Sequence, residues 1–213
     1  MLPNLKKSIN KILKQKIPKE RKAVLQILID YIKNKCLENR EVHLNFICTH
    51  NSRRSQFAQI WAHTAAAYYN IKVYCYSGGV EVTAFNERAV ASIVRSGFEI
   101  SSEGGYNPIY SVLYEKNIRN VIKCFSKLYD DTVNKSEAFA AIMTCAHADK
   151  NCPFITGAEK RISIQYKDPK GFDDTPQETK KYDERSIQIA SEFFYVFNKV
   201  AEKKGDFNKF IIY

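Results

Sequence analysis

Cys48 opens the segment Cys48-Thr49-His50-Asn51-Ser52-Arg53-Arg54-Ser55, where a thiol is followed by a guanidinium six residues on and then by a hydroxyl. The apolar run EVHLNFIC before it reads as a buried strand, and a helical pattern begins at Ser55. Backbone N–H groups of a loop between strand and helix, with the helix N-terminus, form a cradle for a tetrahedral oxyanion. The same positive field favours the thiolate form of a cysteine. Arg54 offers a planar, two-pronged grip on that oxyanion. Ser55 can give its hydroxyl hydrogen bond to the thiolate, and Asn51 tolerates the left-handed backbone that a closed loop needs. Thr49, His50, Ser52 and Arg53 complete the loop. A bare cysteine–arginine spacing arises by chance, and the competing reading is a buried cysteine before a capped helix. The strand before it, the serine after the arginine and the helix beyond favour the oxyanion-handling thiolate.

Two more thiols belong to the same inquiry. Cys145 ends an apolar run and Cys152 follows seven residues later, in AIMTCAHADKNCPF. The gap is too wide for a Cys-x-x-C motif. It closes only if the segment between loops or forms a helical turn, since bridged Cα atoms lie about 5–6 Å apart. Two unreactive core thiols are an alternative. So is a zinc site, because Cys145, His147, Asp149 and Cys152 are possible ligands, although no second Cys or His pair is evident. No metal and no cofactor are assigned. Cys36, Cys75 and Cys124 sit in apolar patterns and read as packing residues. Chemistry on an oxyanion also needs a proton for the departing oxygen. Asp168, in RISIQYKDPKGFDD, follows a strand-like run and can supply it; the plainer reading is that Asp-Pro starts a turn. Asp173 and Asp174 read as solvated.

These residues must be positioned by regular elements. Residues 5–16 and 19–38 read as helices broken at Pro18. Strands are expected at 41–48, 71–77, 138–144 and 161–166, with helices at 55–69, 86–96 and 179–203. Strands alternating with helices predict an α/β fold with a four-stranded parallel sheet covered by helices on both faces. Ligands of such sheets bind at the carboxyl ends of the strands, where Cys48, Cys145 and Asp168 all fall. Residues 106–135 break the rhythm and read as an inserted β-hairpin. The organisation expected is an N-terminal helical hairpin over 1–40 and one α/β domain over 41–213.

The 213 residues, 45% hydrophobic and 26% charged, suffice for such a domain and exclude a largely disordered chain or a disulfide-dense miniprotein. No apolar run approaches the roughly 18 residues of a membrane span. The first residues lack the apolar core of a signal peptide, so a cytoplasmic protein is expected. The net charge is +10, but residues 1–40 hold nine Lys and two Arg against three acidic residues. Charge gathered in one terminal segment is not the spread patch of a nucleic-acid protein, so no nucleic-acid partner is expected.

The stretch ICTHNSRRSQFAQIWAH resembles the active-site loop of the low-molecular-weight protein tyrosine phosphatase superfamily. Its His50-Asn51-Ser52 and Arg54-Ser55-Gln56 are most similar to the thioredoxin-coupled arsenate reductase branch. Tyr76-Ser77-Gly78-Gly79 resembles the family's turn after strand two. Asn86 to Val90 and Gly97 to Ser101 resemble its next helix and exit. Family members often carry a second cysteine before the loop arginine; here that position is Arg53. The resemblance implies a phosphatase-like fold, Cys48 as nucleophile, Arg54 as oxyanion clamp and Asp168 as general acid. It also implies a relay in which Cys145 attacks Cys48 and Cys152 attacks Cys145, with a thioredoxin-like protein as reductant and arsenate as substrate. The alternative is a phosphatase that hydrolyses phosphomonoesters through a cysteinyl-phosphate. The loop cannot tell arsenate from phosphate; only the Cys145/Cys152 pair discriminates.

Overall fold

A computed structural model describes residues 1–152 and 154–207. At its centre, strand β1 (His43–Cys48) is buried along its whole length, as a strand covered on both faces must be. It pairs in parallel with β2 (Tyr74–Gly79) on one side and β6 (Phe139–Met143) on the other. Strand β7 (Ala158–Ser163) adds in parallel to β6, giving the order β2-β1-β6-β7. The four-stranded parallel sheet expected from the sequence is therefore present. The chain leaves β1 toward β2 and returns on the other side as β6, so the carboxyl end of β1 is a topological switch point.

Helix α3 (Arg54–Tyr68) starts from that end. It is buried on nearly all sides, with Phe57, Ile60 and Trp61 inaccessible, because it lies between the sheet and the long helix α6 (Glu178–Phe207). The Trp61 indole N–H donates to Ser186 Oγ at 2.9 Å, and Phe46 of β1 meets Phe193 edge-on at 5.1 Å. Helix α4 (Glu87–Arg95) is capped by Asn86, whose side chain accepts from the N–H groups of Arg88 and Ala89. It ends at Gly97, where φ is +98° and a Cβ would strike the backbone of Leu5 at 2.4 Å. The glycine both closes α4 and admits the N-terminal helix.

That helix, α1 (Pro3–Ile12), and α2 (Lys19–Leu37) join the main core directly. Leu5, Ile9, Ile12, Leu25, Leu28, Ile29 and Ile32 are buried in the same cluster as Phe193 and Phe197 of α6. Most of the lysines of this segment face outward, which is the solvated face of an amphipathic pair. Leu28→Ala is expected to destabilise the protein by about 2–5 kcal/mol, the cost of a cavity in a closed core. Ile27→Ala, one residue away and half exposed, should stay within about 0.5 kcal/mol. Urea denaturation of the two variants checks this.

The inserted segment is richer than a hairpin. Strands β4 (Tyr110–Leu113) and β5 (Val121–Cys124) pair antiparallel as expected, but β3 (Glu99–Ser102) pairs with β4 and completes a separate three-stranded sheet. Residues 99–102 lack strict alternation, so only the partner strand marks them. β7 starts three residues before the expected strand. Ile164 and Tyr166 still donate to Met143 and Thr144 carbonyls past its end. The connection from β6 to β7 holds a short helix, α5 (Ala146–Asn151). No helix among the described residues is long and apolar enough to cross a membrane.

Candidate active site

The loop after β1 closes tightly around the Cys48 sulfur. Cys48 is only 3% exposed, and its Sγ lies 3.1 Å from Ser55 Oγ. Asn51 Nδ2 donates to the same Ser55 oxygen at 2.8 Å. Ser55 Oγ accepts from Asn51, and its own hydroxyl proton is free to be given to the Cys48 sulfur. Asn51 takes the left-handed conformation, φ 48°, and its Oδ1 accepts from the Lys127 N–H at 3.1 Å. Gly79 allows this approach, since a Cβ there would lie 2.7 Å from Thr49 O and 2.8 Å from the Asn51 nitrogen.

The loop carbonyls are turned outward and occupied. Thr49 O accepts from the N–H groups of Val80 and Glu81, and Ser52 O from that of Asn86. His50 O accepts from Ser126 Oγ and Asn51 O from Gln56 Nε2. Among the described residues, no backbone N–H from Thr49 to Arg53 has a hydrogen-bond partner. Unpartnered amides in such a loop can donate to an anion. The His50 ring lies 3.1 Å from Glu81.

Arg54 lines the same small pocket as Cys48. Its guanidinium donates to Asp168 Oδ2 at 2.5 Å and to the Tyr166 carbonyl at 3.2 Å. Its Nε is buried and has no partner among the described residues, which leaves one donor for an anion. Asp168 also caps the 3₁₀ turn Pro169–Phe172 by accepting from the Lys170 N–H. The turn reading of Asp-Pro therefore holds, and the same carboxylate also contacts Arg54. Cys48, Arg54 and Asp168 line a single small pocket with His50, Ser52 and Arg53. Asp173 is not solvated as expected: it accepts from Arg53 at 3.1 Å and from the Tyr182 hydroxyl at 2.7 Å, and Tyr182 accepts from Arg53 Nε. Positive charge beside the loop draws the carboxylate inward. Asp174 is exposed and pairs with Arg88.

A buried carboxylate, absent from the sequence-based reading, supports this wall. Glu192 of α6 accepts two hydrogen bonds from Arg21 of α2, at 2.9 and 2.6 Å, and one from the Tyr166 hydroxyl at 2.9 Å. Burial holds the Tyr166 phenol well above its ordinary pKa, so it remains a donor. The Tyr166 carbonyl in turn holds Arg54. The only hint in sequence is an acidic residue inside the apolar face SEFFYVF. Arg21→Met strands the Glu192 charge in the interior and should cost roughly 3–5 kcal/mol. Adding Glu192→Gln should recover part of that loss in thermal denaturation, because the stranded charge is then gone.

The other two thiols come to the same place. Cys145 and Cys152 pack in one apolar cluster with Cys48, Ile47, Met143 and Ala148. Cys145 is buried; its sulfur accepts from the Ala148 N–H at 3.3 Å and lies 3.5 Å from Thr49 Oγ1. Thr49 Oγ1 also meets His147 Nδ1 at 3.2 Å. Cys152 is partly exposed at the far end of α5; about two helical turns, not the single closing turn the spacing suggested, separate the two thiols and hold them apart. No disulfide is formed by any of the six cysteines. Asp149 is engaged by Ser163 and Arg161. Among the described residues no cluster of His, Cys, Asp or Glu could hold a metal. Burial pushes the Cys124 thiol up to about 12 and the Cys75 thiol higher still, as inert core thiols require. Cys36 is partly buried against the main core.

No family model matches the chain. It is 29% identical over 126 residues to arsenate reductase 2 of Staphylococcus haemolyticus, covering 59% of this chain and 77% of that protein. It is 27% identical over 135 residues to an arsenate reductase of Bacillus cereus, covering 63% and 81%. Among solved structures it is similar to a low-molecular-weight phosphotyrosine phosphatase from Vibrio cholerae O395. The TM-score there is 0.50 at 12% identity, over 77% of this chain and 99% of the other. That likeness is one of fold.

Proposed function

We propose that this chain, which belongs to the superfamily of low-molecular-weight phosphotyrosine phosphatases and arsenate reductases, reduces arsenate to arsenite through a three-cysteine relay. The observation that carries the reading is the convergence of Cys48, Cys145 and Cys152 in one cluster at the switch point. Ester hydrolysis has no use for the second and third thiols.

The chemistry follows from the residues. Arsenate sits on the loop amides and the Arg54 guanidinium, which parts from Asp168 to admit it. The Cys48 thiolate, held by Ser55, attacks arsenic. Asp168 delivers the proton that lets one oxygen leave as water. Cys145 then attacks the Cys48 sulfur. The sulfur–sulfur bond forms, the sulfur–arsenic bond breaks, and its electron pair stays on arsenic as arsenite departs. Cys152 attacks Cys145, restores the Cys48 thiol and carries the disulfide to the surface. A dithiol reductant of the thioredoxin type reduces it there, which suits a thiol-reducing, cytoplasmic setting.

A second reading, hydrolysis of an aryl phosphomonoester, draws on an open cavity of about 480 Å³ beside the loop, walled by Phe85, Tyr106 and Tyr110. Arsenate turnover with thioredoxin, measured beside p-nitrophenyl phosphate hydrolysis, separates the two. Reduction is expected to dominate; hydrolysis without arsenite release would replace the first reading with the second. Asp168→Asn is expected to slow turnover by roughly 10²–10⁴-fold. In hydrolysis the loss should be larger for poor leaving groups than for good ones. An equal loss across leaving groups would reduce Asp168 to capping the 3₁₀ turn.

A further inference from the structure

Between the parallel sheet and the inserted sheet β3-β4-β5 lies a second cavity, of about 750 Å³. Small-molecule sites run from about 300 to 1,000 Å³. It shares no lining residue with the pocket that holds Cys48 and Arg54. Its walls are mainly apolar, with Cys75 from β2, Ile109 beside β4, and Ile122 and Phe125 from β5 and its exit. Two buried polar groups on those walls lack partners.

The first is Lys127. The residue is 3% exposed, and its Nζ has no hydrogen-bond partner among the described residues. Its backbone is fixed, since its N–H donates to Asn51 and its carbonyl accepts from Gly79. The side chain is therefore held in the interior, where the ammonium lies 4.5 Å over the Phe125 ring. The ring face offsets only part of the lost hydration. Burial pushes the ammonium's pKa down, against the weaker opposing influence of Cys124 and Asp131. The second group is Asn134. Its Nδ2 is aimed at the carbonyls of Ser77, Leu128 and Tyr129, which leaves Oδ1 buried and unpaired.

An apolar chamber with an unpaired cation in its wall is a site completed by an anion. The charge count selects the anion. Lys123, the other lysine of the wall, already donates to Ser111 and is exposed; burial favours the neutral form of His63, which also lines the cavity; and Glu103 on the wall repels further negative charge. One buried ammonium neutralises one negative charge, so a dianionic phosphate would bring in an unpaired one. We propose that this cavity binds a small monocarboxylate with an apolar body, an aromatic or short-chain organic acid whose carboxylate pairs with Lys127.

The test is titration of the ¹⁵N-labelled full chain with benzoate and hexanoate, beside benzamide, hexanol and phenyl phosphate. Saturable shifts of the amides that line the cavity, from α3 (Gln59, His63), β2 (Cys75, Tyr76) and residues 101–134, are expected for the carboxylates. Lys127→Met should weaken them by at least about tenfold, the worth of a charge-assisted hydrogen bond. Ser111→Phe, which obstructs the cavity and keeps Lys127, should remove them. Should Lys127→Met fail to fold, Ser111→Phe and the comparison with neutral isosteres decide the matter. Four outcomes would overturn the assignment. They are no saturable carboxylate shifts up to about 10 mM, equal binding of the neutral isosteres, tighter binding of phenyl phosphate in this cavity, and carboxylate binding that survives in a folded Lys127→Met.

Discussion

Cys48→Ser is expected to abolish turnover of both arsenate and p-nitrophenyl phosphate, by on the order of 10⁴-fold or more, the scale on which loss of an essential nucleophile is felt. Oxyanion binding should survive, because the cradle belongs to the backbone from Thr49 to Arg53 and to Arg54, not to the sulfur. The substitution changes one buried atom and leaves an oxygen where Ser55 Oγ already makes a short polar contact at 3.1 Å, so folding should be little altered. Among the described residues the hydrogen-bond contact of the Cys48 sulfur is the Ser55 hydroxyl, which is not a base, and Asp168 in the same pocket is tied to Arg54. The hydroxyl therefore cannot replace a thiolate as nucleophile. Phosphate titration of the variant by calorimetry, beside both turnover assays, makes the check. Retained turnover of either substrate would remove Cys48 from the mechanism, and lost phosphate binding would show that the sulfur shapes the cradle.

What could be read from the chain before its structure depended on how local each signal was. The loop is nearly all local: strand, the loop Thr49–Arg53 and helix are contiguous, so the left-handed Asn51 and the Ser55 contact follow from residue type and spacing. The parallel sheet was legible for a similar reason, since β1 and β6 are short buried runs set among helical patterns. Asp173 escaped because its partners, Arg53 and Tyr182, are far from it in sequence or on another element. Glu192 escaped more completely. Beyond Gln188 of its own helix, its partners come from α2 and from the segment after β7, and nothing in an amphipathic helix says which acidic residue turns inward. Strand β3 was invisible because its four residues are mostly exposed and only β4 makes them a strand. Lys127 is the limiting case: a lysine in a loop reads as solvated, and only the packing of two sheets shows that it is not.

Replacing either Cys145 or Cys152 by serine is expected to stop multiple-turnover arsenate reduction while leaving p-nitrophenyl phosphate hydrolysis, if present, largely intact. The reason is position in the reaction: in the proposed relay both thiols act after the first displacement, and hydrolysis needs only water at that point. The two variants should fail differently. Cys152→Ser retains Cys145, which packs in the same cluster as Cys48, so the bond between them still forms. About one arsenite per enzyme should then be released before the protein stalls as a Cys48–Cys145 disulfide, in line with a single exchange step. Cys145→Ser should release none and stall with arsenic on Cys48. The geometry sets one further condition. Cys145 is held at the start of α5 by the Ala148 N–H and Thr49, while Cys152 lies at the far end of that helix. A Cys145–Cys152 bond requires Cα atoms about 5–6 Å apart, so α5 must unwind for the second exchange to occur. Disulfide mapping by mass spectrometry after arsenate exposure should therefore find Cys145–Cys152 in the wild type, and hydrogen exchange should show residues 146–151 losing protection in the oxidised protein. If that bond never forms and both variants reduce arsenate repeatedly, the relay is wrong. If it forms with α5 still protected, the relay stands and the unwinding step falls.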